Sequence, residues 1–455
     1  MISGRPDSGR LLGIKRKSGN MAVKNSVAKV VRYFKKNGLV NTVYATVERV
    51  FFAYHKNYTY QKPDTMVLEE QRKTQFNSHI LVSIVVPTYE TKETHLREMI
   101  EAVLSQTYEN FELILADASQ SEAVSHVINT YKDARIVYHK LAKNAGISEN
   151  TNEGIRITKG DYIALLDHDD LLTEDALFEM VKKIEEEKNA GKIAKVIFSD
   201  EDKCNSDGSK FFAPHFKMDY NKELLFTNNY ICHFLLCKAE LMKELLLRSE
   251  FDGAQDFDFV LRATSYVNKE IEQGKDVSVC HVAKILYHWR CHENSTAENP
   301  ESKMYAYEAG KRAVQAAFDE MGRKVQVVHN KHLGFYQPKV GHKSELFCAN
   351  PRLGCIGGAL YKGMKISGGA MDKRGNVLYK GLHKKFEGYM NRAHLMQSAD
   401  AVDIRNVVVC ESLKPVFEQA LKQCKIEKNP DFVKASLEFC EKIKEMGYEV
   451  MYWEP

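Results

Sequence analysis

Residues 81–89, LVSIVVPTY, form a mostly apolar run that Pro87 closes. A run this short and this apolar is typical of a strand buried on both faces of a sheet. Segments of helical periodicity then alternate with further apolar runs, and this rhythm predicts an α/β fold with a mainly parallel central sheet. The further strands are predicted in FELILADAS (111–119), RIVYHK (135–140), YIALLD (162–167) and AKVIFSDED (194–202).

The chain of 455 residues is too long for one ordinary hydrophobic core. We expect three regions: a basic N-terminal helical region with a linker at 1–78, the α/β domain at 79–330, and a small α+β module at 331–455. The last region is rich in glycine and short strand-like runs, and it closes on a helix followed by a strand.

Charge is unevenly distributed along the chain. Residues 1–78 hold 15 Lys and Arg against 5 Asp and Glu, a balance of +10, so the remainder carries −6 of the total +4. Two amphipathic helices are predicted here, the first ending at Asn37-Gly38 and the second running through Val43 to Tyr54. They either pack on the body of the protein or rest on anionic lipid. Nucleic acid is the less favoured partner, because the region has no aromatic RNA-binding motif.

The ten cysteines include no C-x-x-C pair, and their spacing fits no zinc site. The sequence shows no signal peptide and no run approaching the ~20 apolar residues that span a bilayer. We therefore expect reduced thiols in a cytoplasmic protein, peripheral at the inner face of the plasma membrane. Met21 is a candidate start as well as Met1.

Polar residues follow the predicted strands, where ligands bind in open α/β sheets. No G-x-G-x-x-G or P-loop motif is present, so a dinucleotide cofactor and a P-loop nucleotide site are not expected. The candidate ligand-binding residues at these strand ends are Pro87, Thr88, Tyr89, Glu90, Asp117, Asn144, Gly146, Asp167 and Asp169.

The acidic cluster after YIALL is the strongest of these signals. Asp167 and Asp169 are separated by one residue, so both carboxylates can reach the same side of a strand end. Hard oxygen ligands of this kind suit Mg²⁺ or Mn²⁺, which also bind substrate phosphates. The alternative is a solvated acidic turn or a helix N-terminal cluster without a ligand.

Several motifs in order resemble the family-two glycosyltransferases with the GT-A fold, over about residues 81–320. The later motifs resemble a bacterial subgroup of rhamnosyltransferase-like enzymes that build surface polysaccharides. The motifs are SIVVPTYE, NAGISENTNEGIRITKGDYIALLDHDD, SDEDK (199–203), FDGAQDFDFVLRA (251–263) and HVAKILYHWRCHENSTA (281–297).

The resemblance implies a role for each matching residue on the donor side. Asp117 would bind the base, although ADAS replaces the commoner acid-acid-Gly-Ser and leaves the base open. Asp167 would contact the ribose and Asp169 the metal. The resemblance further assigns donor binding to Pro87, Tyr89 and Glu90, and to Asn152, which follows Thr151 where the family usually has an arginine.

The resemblance also implies the catalytic and acceptor residues. Asp256 would be the general base, with Gln255 in place of the usual preceding acid, and His288 a further metal ligand. A single displacement that inverts the anomeric carbon follows, because no carboxylate is identified as a nucleophile. Arg290 would meet the diphosphate and Trp289 a sugar, while Asp200 and Asp202 would border the acceptor groove. An EF-hand interpretation of DEDKCNSDG fails, because its Gly and closing Glu are misplaced.

Together these expectations describe an inverting, Mn²⁺- or Mg²⁺-dependent glycosyltransferase. The donor would be a nucleotide-diphospho-sugar, dTDP-rhamnose or else a UDP-hexose or UDP-N-acetylhexosamine, and the acceptor a growing or lipid-linked glycan. A non-catalytic nucleotide-sugar-binding scaffold is the alternative. Residues 340–455 faintly resemble the acceptor half of another transferase, with Asp431 as the one candidate acid, which indicates a degenerate or accessory domain.

Overall fold

The computed structural model describes residues 31, 33–35, 37–50, 52, 57–291, 304–426 and 431–455. The α/β fold expected from the sequence is confirmed, together with a small C-terminal α+β module. The helices of the first part are α1 (Thr65–Lys73), α2 (Glu93–Leu104), α3 (Ala123–Ile128), α4 (Ile147–Ile157), α5 (Ala176–Asn189), α6 (Lys222–Leu225), α7 (Ala239–Leu245), α8 (Gln255–Glu272) and α9 (Met304–Glu320).

The first half of the central sheet is parallel. Its strands are β1 (Val82–Thr88), β2 (Phe111–Asp117), β3 (Ile136–Lys140) and β4 (Tyr162–Leu165), in the order β3-β2-β1-β4. Every residue of β1 and β2 is buried, as their apolar sequences predict. Gly154 of α4 allows close packing on this sheet, because a Cβ there would lie 2.6 Å from Cγ1 of Val85.

The second half of the sheet is mixed and adds antiparallel pairs to the parallel first half. Its strands are β5 (Leu171–Leu172), β6 (Ile193–Cys204), β7 (Phe211–His215), β8 (Leu235–Lys238) and β9 (Val277–Arg290). The full order is β3-β2-β1-β4-β8-β6-β9-β5, with β7 paired to β6. Strand β8 runs antiparallel to both β4 and β6, because the β6–β7 hairpin reverses the chain before it. Hydrophobic periodicity does not reveal such a reversal.

The C-terminal module is built on a four-stranded sheet of order β16-β19-β12-β18. A hairpin of β10 (Val327–His329) and β11 (Tyr336–Pro338) precedes it and straddles the expected boundary at 330/331. The remaining elements are α10 (Glu345–Ala349), β12 (Leu353–Gly357), β13 (Leu360–Lys362), β14 (Lys365–Gly368), β15 (Ala370–Met371), β16 (Gln397–Ser398), β17 (Ala401–Val402), β18 (Val407–Val409), α11 (Lys414–Ile426), α12 (Phe432–Glu445) and β19 (Glu449–Tyr452).

Residues 31–52 are helical wherever the structure describes them, and most of the first expected helix lies outside the described residues. Residues on both sides of Gly38 are helical, so its φ of 77° interrupts the helical stretch where a stop was expected. This segment packs on the C-terminal module: the Tyr44 ring stacks on His383, and the Glu48 carboxylate accepts hydrogen bonds from the backbone of Glu387 and Gly388. The first of the two alternatives, packing on the body of the protein, therefore holds for this face of the segment.

The described part of the expected linker is folded. Asp64 caps α1, while Tyr58 and Tyr60 lie against Asp202 and His288 of the central sheet.

All ten cysteines are free thiols, as expected. Within the described residues, the structure contains no helix that is both long and apolar enough to cross a membrane.

Candidate active site

The acidic turn between β4 and β5 presents its carboxylates in two environments. The side chain of Asp167 is 54% exposed at the open end of the sheet. Asp170 is buried; its carboxylate accepts hydrogen bonds from the backbone N–H of Arg290 (2.7 Å) and from the Tyr287 hydroxyl. Strand β9 thus anchors one end of the turn and leaves the other end open to a ligand.

His233 completes this cluster from the loop before β8. Its Nε2 lies 3.9 Å from Oδ2 of Asp167, and its ring stacks on Tyr287 with centroids 4.7 Å apart. Ligand atoms of Asp167, Asp170 and His233 all lie within 4.8 Å of one another. Two carboxylates and one imidazole suit Mn²⁺ well and Mg²⁺ less well.

The electrostatics of the acidic turn fit a cation. Desolvation by the surrounding turn raises the pKa of the half-exposed Asp167 carboxyl, and the negative charges of Asp169 and Asp256 raise it further, although His233 opposes them. Burial and the neighbouring carboxylates also raise the pKa of Asp170 well above its usual range. A divalent cation bound here would relieve this repulsion and favour the ionised carboxylates.

Glu201 lies behind His233 and was missed by the sequence interpretation. Its carboxylate lies 3.4 Å from Nδ1 of His233 and accepts hydrogen bonds from the His233 backbone (3.3 Å) and from Lys217 (3.3 Å). Burial would raise the pKa of Glu201, but the Lys217 ammonium and the two nearby histidines, His215 and His233, outweigh burial and hold it well below its usual range. Glu201 therefore remains an anion that supports His233.

Lys217 ties the His233 loop to the sheet. Its side chain is fully buried, and Nζ donates hydrogen bonds to the carbonyl oxygens of Ile231 (2.6 Å) and His233. Its backbone N–H also donates to Asp200 (2.8 Å). The position of His233 therefore depends on this buried ammonium.

Asp256 lies in the first turn of α8, as its expected role requires. Its Oδ2 accepts hydrogen bonds from the side-chain amide of Asn229 (2.8 Å) and from the Cys232 thiol (3.4 Å). The same loop thus carries His233 toward Asp167 and holds the carboxylate of Asp256. The negative charge of Asp256 also contributes to the raised pKa of Asp167.

His288 points to the other face of β9. Successive side chains of a strand alternate between faces, and Tyr287 and Trp289 face His233. The Nδ1 atom of His288 instead lies 2.5 Å from Oδ1 of Asp202, and its ring is packed between Tyr60 and Phe211. The structure therefore does not bring the expected ligand His288 together with Asp167.

Asp200 and Asp202 are buried and do not form an open groove. Oδ1 of Asp200 lies 2.9 Å from Nε2 of His281, and Asp202 accepts a hydrogen bond from the Tyr58 hydroxyl (2.5 Å). Trp289 does lie on the face of His233, with ring centroids 5.8 Å apart, and the Lys203 ammonium lies 4.4 Å from its ring centroid. Of the three expected acceptor residues, only Trp289 is placed to meet a substrate.

Arg290 is fully buried and is already engaged by the protein. Its guanidinium donates to the carbonyl oxygens of Asp169 (2.5 Å) and Ser206 (2.9 Å) and pairs with Glu98 (2.7 Å). Arg290 makes these contacts because it lies on the same face of β9 as His288. It holds the backbone of the acidic turn, a positioning role, where a diphosphate contact was expected.

Asp117, the expected base-binding acid, is completely buried at the end of β2. Its carboxylate accepts hydrogen bonds from Ser119 N–H (2.9 Å), the Tyr138 hydroxyl (2.8 Å) and Lys140 (3.0 Å). Burial would raise the pKa of Asp117, but these donors lower it below its usual range. Asp117 therefore organises the strand ends around the donor side of the sheet.

The PTYE turn is built from the expected donor residues. Pro87 and Thr88 are buried in β1, while the Tyr89 ring is 47% exposed at the strand end. Glu90 adopts a left-handed backbone (φ 46°), and its carboxylate accepts hydrogen bonds from the N–H groups of Gln120 (2.7 Å) and Ser121 (3.0 Å). The exposed tyrosine offers an aromatic face at this edge.

Asn144, Gly146 and Asn152 shape the start of α4. Asn144 accepts from the side chain of Asn150 (2.9 Å), and a Cβ at Gly146 would lie 2.8 Å from the Asp252 carboxylate. Asn152 is buried and exchanges two hydrogen bonds of 2.9 Å with the backbone of Leu247. The side-chain amide of Asn152 therefore ties α4 to the backbone at Leu247.

Residues 83–247 match the family model described as glycosyl transferase family 2. Over these residues, about a third of its length, the chain is similar to the family 2 glycosyltransferases. The match spans β1 to α7 and includes the acidic turn, Glu201 and His233. The matched residues form most of the α/β sheet, with the acidic turn at its open edge.

Curated relatives match part of this chain. An uncharacterized protein y4gI of Sinorhizobium fredii is 42% identical over 239 residues, which cover 52% of this chain and 25% of the relative. The O-antigen biosynthesis protein RfbC of Myxococcus xanthus is 27% identical over 271 residues, 59% of this chain and 20% of the relative. The chain therefore spans a quarter or less of the length of these two relatives.

Shorter and more distant similarities are also found. One relative is the UDP-Glc:alpha-D-GlcNAc-diphosphoundecaprenol beta-1,3-glucosyltransferase WfaP of Escherichia coli. It is 37% identical over 108 residues, which cover 24% of this chain and 43% of the relative. Among solved structures, S. aureus TarS 1-349 in complex with UDP-GlcNAc is 17% identical, with a TM-score of 0.40 over 52% of this chain and 66% of that one.

Proposed function

We propose that the protein transfers a sugar from a nucleoside-diphosphate donor to a growing or lipid-linked glycan of a surface polysaccharide. The observation that carries this proposal is the cluster of Asp167, Asp170 and His233 at the open sheet edge, with Asp256 hydrogen-bonded to the loop that carries His233. The family match of residues 83–247 supports it, as do the similarities to an O-antigen biosynthesis protein and to a glucosyltransferase.

A divalent cation fits the donor set of this cluster. Asp167, Asp170 and His233 would hold the ion, and Mn²⁺ suits the imidazole better than Mg²⁺. When bound, the ion supplies positive charge against the diphosphate that leaves with the nucleoside. Asp169 remains a predicted ligand on the same turn, and His233 takes the role that was expected of His288.

Asp256 is proposed to be the general base. Its carboxylate accepts a proton from the acceptor hydroxyl as that oxygen attacks the anomeric carbon and the bond to diphosphate breaks. Asn229 and Cys232 hydrogen-bond to a single oxygen, Oδ2, which orients the carboxylate toward the site. One base and one displacement predict inversion of the anomeric configuration.

The donor and acceptor are proposed to occupy opposite sides of this cluster. The Tyr89 ring lies at the end of β1 beside the Asp117 network, a face on which a nucleobase would stack. Trp289 and Lys203 lie on the face of His233, where an acceptor sugar would stack on the indole. The sugar stays open between dTDP-rhamnose, a UDP-hexose and a UDP-N-acetylhexosamine.

Peripheral contact with anionic lipid is proposed for the N-terminal helical segment. Leu39, Val43 and Val50 recur at helical spacing and are 65%, 51% and 71% exposed, opposite the face that carries Glu48. The charge balance of +10 over residues 1–78 complements an acidic membrane surface. A lipid-linked acceptor would then lie close to the enzyme.

A donor screen tests the proposed function. Purified protein with Mn²⁺ is incubated with dTDP-rhamnose, UDP-glucose or UDP-N-acetylglucosamine and with diphosphoundecaprenol-linked glycans. We expect one donor to release free nucleoside diphosphate only when acceptor is present, and chelation of the metal to stop that release. Donor binding without release for any combination would instead favour a non-catalytic binding protein.

A further inference from the structure

The C-terminal module hydrogen-bonds to the main chain of the α/β domain around Phe216, close in sequence to Lys217 of the candidate active site. The Tyr389 hydroxyl accepts a hydrogen bond from Phe216 N–H (2.9 Å) and donates one to the carbonyl oxygen of Pro214 (3.1 Å). Arg392 donates to the carbonyl oxygen of Phe216 (2.9 Å). The main chain from Pro214 to Phe216 is thus fixed on both sides by residues from a separate module.

The neighbours of Phe216 in sequence both contact Glu201. Nδ1 of His215 lies 3.5 Å from the Glu201 carboxylate, and Lys217 pairs with the same carboxylate while binding the carbonyls of Ile231 and His233. A shift of the Phe216 peptide would therefore move the buried ammonium that holds the loop of His233. That loop also supplies Cys232 and Asn229 to Asp256.

The segment that carries Tyr389 and Arg392 is itself anchored. Glu48 of the N-terminal helical segment accepts hydrogen bonds from the N–H groups of Glu387 (2.9 Å) and Gly388 (2.7 Å). On the catalytic side, Asn221 and Ser398 exchange two further hydrogen bonds of 2.8 and 2.9 Å. The contact is therefore built from several elements, and Tyr389 lies at its centre.

We propose that Tyr389 and Arg392 are positioning residues of the transfer site, so that the C-terminal module is an integral part of the catalytic machinery. They act through Phe216 and Lys217 on the His233 loop, and they touch neither donor nor acceptor. This inference rests on the proposed function for its kinetic readout, whereas the geometry of the His233 loop is also reported by Mn²⁺ binding alone.

The test compares Tyr389→Phe, Arg392→Met and Arg392→Lys with the wild-type chain. The matched control is Tyr361→Phe, because Tyr361 belongs to the same module but its hydroxyl binds Glu454. We expect Tyr389→Phe and Arg392→Met to weaken Mn²⁺ binding, measured by electron paramagnetic resonance without donor, about fivefold. With donor and acceptor, kcat should fall about tenfold while the donor KM changes less than about twofold.

Rescue separates positioning from general destabilisation. Arg392→Lys keeps a donor for the Phe216 carbonyl and should restore most of the Mn²⁺ affinity, whereas Tyr361→Phe should match the wild type. Wild-type Mn²⁺ affinity and kcat in both Tyr389→Phe and Arg392→Met would overturn the inference. If Tyr389→Phe fails to fold, the Arg392→Met and Arg392→Lys pair decides alone. A wild-type chain that binds Mn²⁺ but turns over no donor would overturn the proposed function only, since Mn²⁺ binding still tests the positioning.

Discussion

The Nε2 atom of His233 lies 3.9 Å from Oδ2 of Asp167, although 66 positions separate the two residues in the chain. The two side chains meet because β8 runs antiparallel to β4, so the start of β8 and the end of β4 share one edge of the sheet. His233 thereby takes the place beside the acidic turn that a later histidine was expected to fill.

Replacing these two histidines distinguishes the metal ligands. We expect His233→Ala to weaken Mn²⁺ binding by about 10–100-fold, because the variant loses one of three candidate ligand groups. His288→Ala should leave Mn²⁺ affinity within about twofold and lower thermal stability, since His288 is buried against Asp202, Tyr60 and Phe211. Titration of Mn²⁺ into each purified variant measures both affinities. The opposite order would restore the original assignment of His288 as the ligand.

Asp256→Asn separates binding from transfer. The amide keeps the size of the side chain and its oxygen can still accept from Asn229, but it cannot take a proton from an acceptor hydroxyl. We expect donor affinity within about twofold of wild type and a transfer rate reduced by about 10²–10⁴-fold. Isothermal titration with donor and a transfer assay measure the two quantities. A variant that transfers sugar at the normal rate would remove Asp256 from the mechanism.

Glu201→Gln should destabilise the domain. The substitution leaves the fully buried Lys217 ammonium without its charged partner, although a neutral acceptor remains. We expect the free energy of unfolding to fall by about 2–4 kcal/mol, measured by denaturant titration. Glu411→Gln is the control, because Glu411 is 85% exposed in its pair with Lys414 and should change stability by less than about 0.5 kcal/mol. Equal stability of both variants would show that Lys217 does not depend on Glu201.

The parts of this site that the sequence predicted are those set by local pattern. The apolar run 81–89 gives β1, and YIALLDHDD gives a strand followed by an acidic turn, because burial on both faces demands continuous apolar residues. Asp256 was singled out through its motif, and the structure places it in the first turn of α8.

The parts of the site that were missed depend on the direction of each strand and on the face of the sheet to which each side chain points. In SDEDK the acid that faces His233 is Glu201, whereas Asp200 and Asp202 face away, and period-two alternation cannot say which set faces the site. His233 precedes the apolar run FLLC, and this polar residue at a strand start was the available signal. It was hidden by the expectation of a mainly parallel sheet, in which strand starts lie at the opposite edge.

Acid should weaken the ion pairs that the Glu387 carboxylate makes with His332 and Lys331. Burial would raise the pKa of Glu387, but His332 and Lys331 lower it to about 2, from 4.5. A depressed folded-state pKa gives stability that is present above pH 4.5 and is lost as the pH falls toward 2. The full contribution is about 3 kcal/mol, of which about 1.4 kcal/mol should be lost by pH 3.5.

Comparison with Glu387→Gln isolates this effect from other acids. The variant should be less stable than wild type at pH 6, and the difference should narrow by pH 3.5 when unfolding is followed at both values. Glu438→Gln, on the exposed side of α12, serves as the control and should show no such narrowing. A constant difference between wild type and Glu387→Gln would contradict the assigned pKa.

The exposed face of the N-terminal helical segment should bind anionic lipid through its apolar residues. Val43 and Val50 are 51% and 71% exposed, so replacing both with serine removes apolar contact without opening a core. We expect Val43→Ser/Val50→Ser to co-sediment with phosphatidylglycerol vesicles about tenfold more weakly than wild type, and neither protein to bind neutral phosphatidylcholine vesicles. Ile271→Ser is the control, because Ile271 is similarly exposed (47%) but lies on α8. Equal loss of lipid binding in the control would mean that general surface hydrophobicity is responsible. If the wild-type protein is instead retained by an immobilised oligonucleotide and binds no vesicles, the nucleic-acid alternative for the basic region would be favoured.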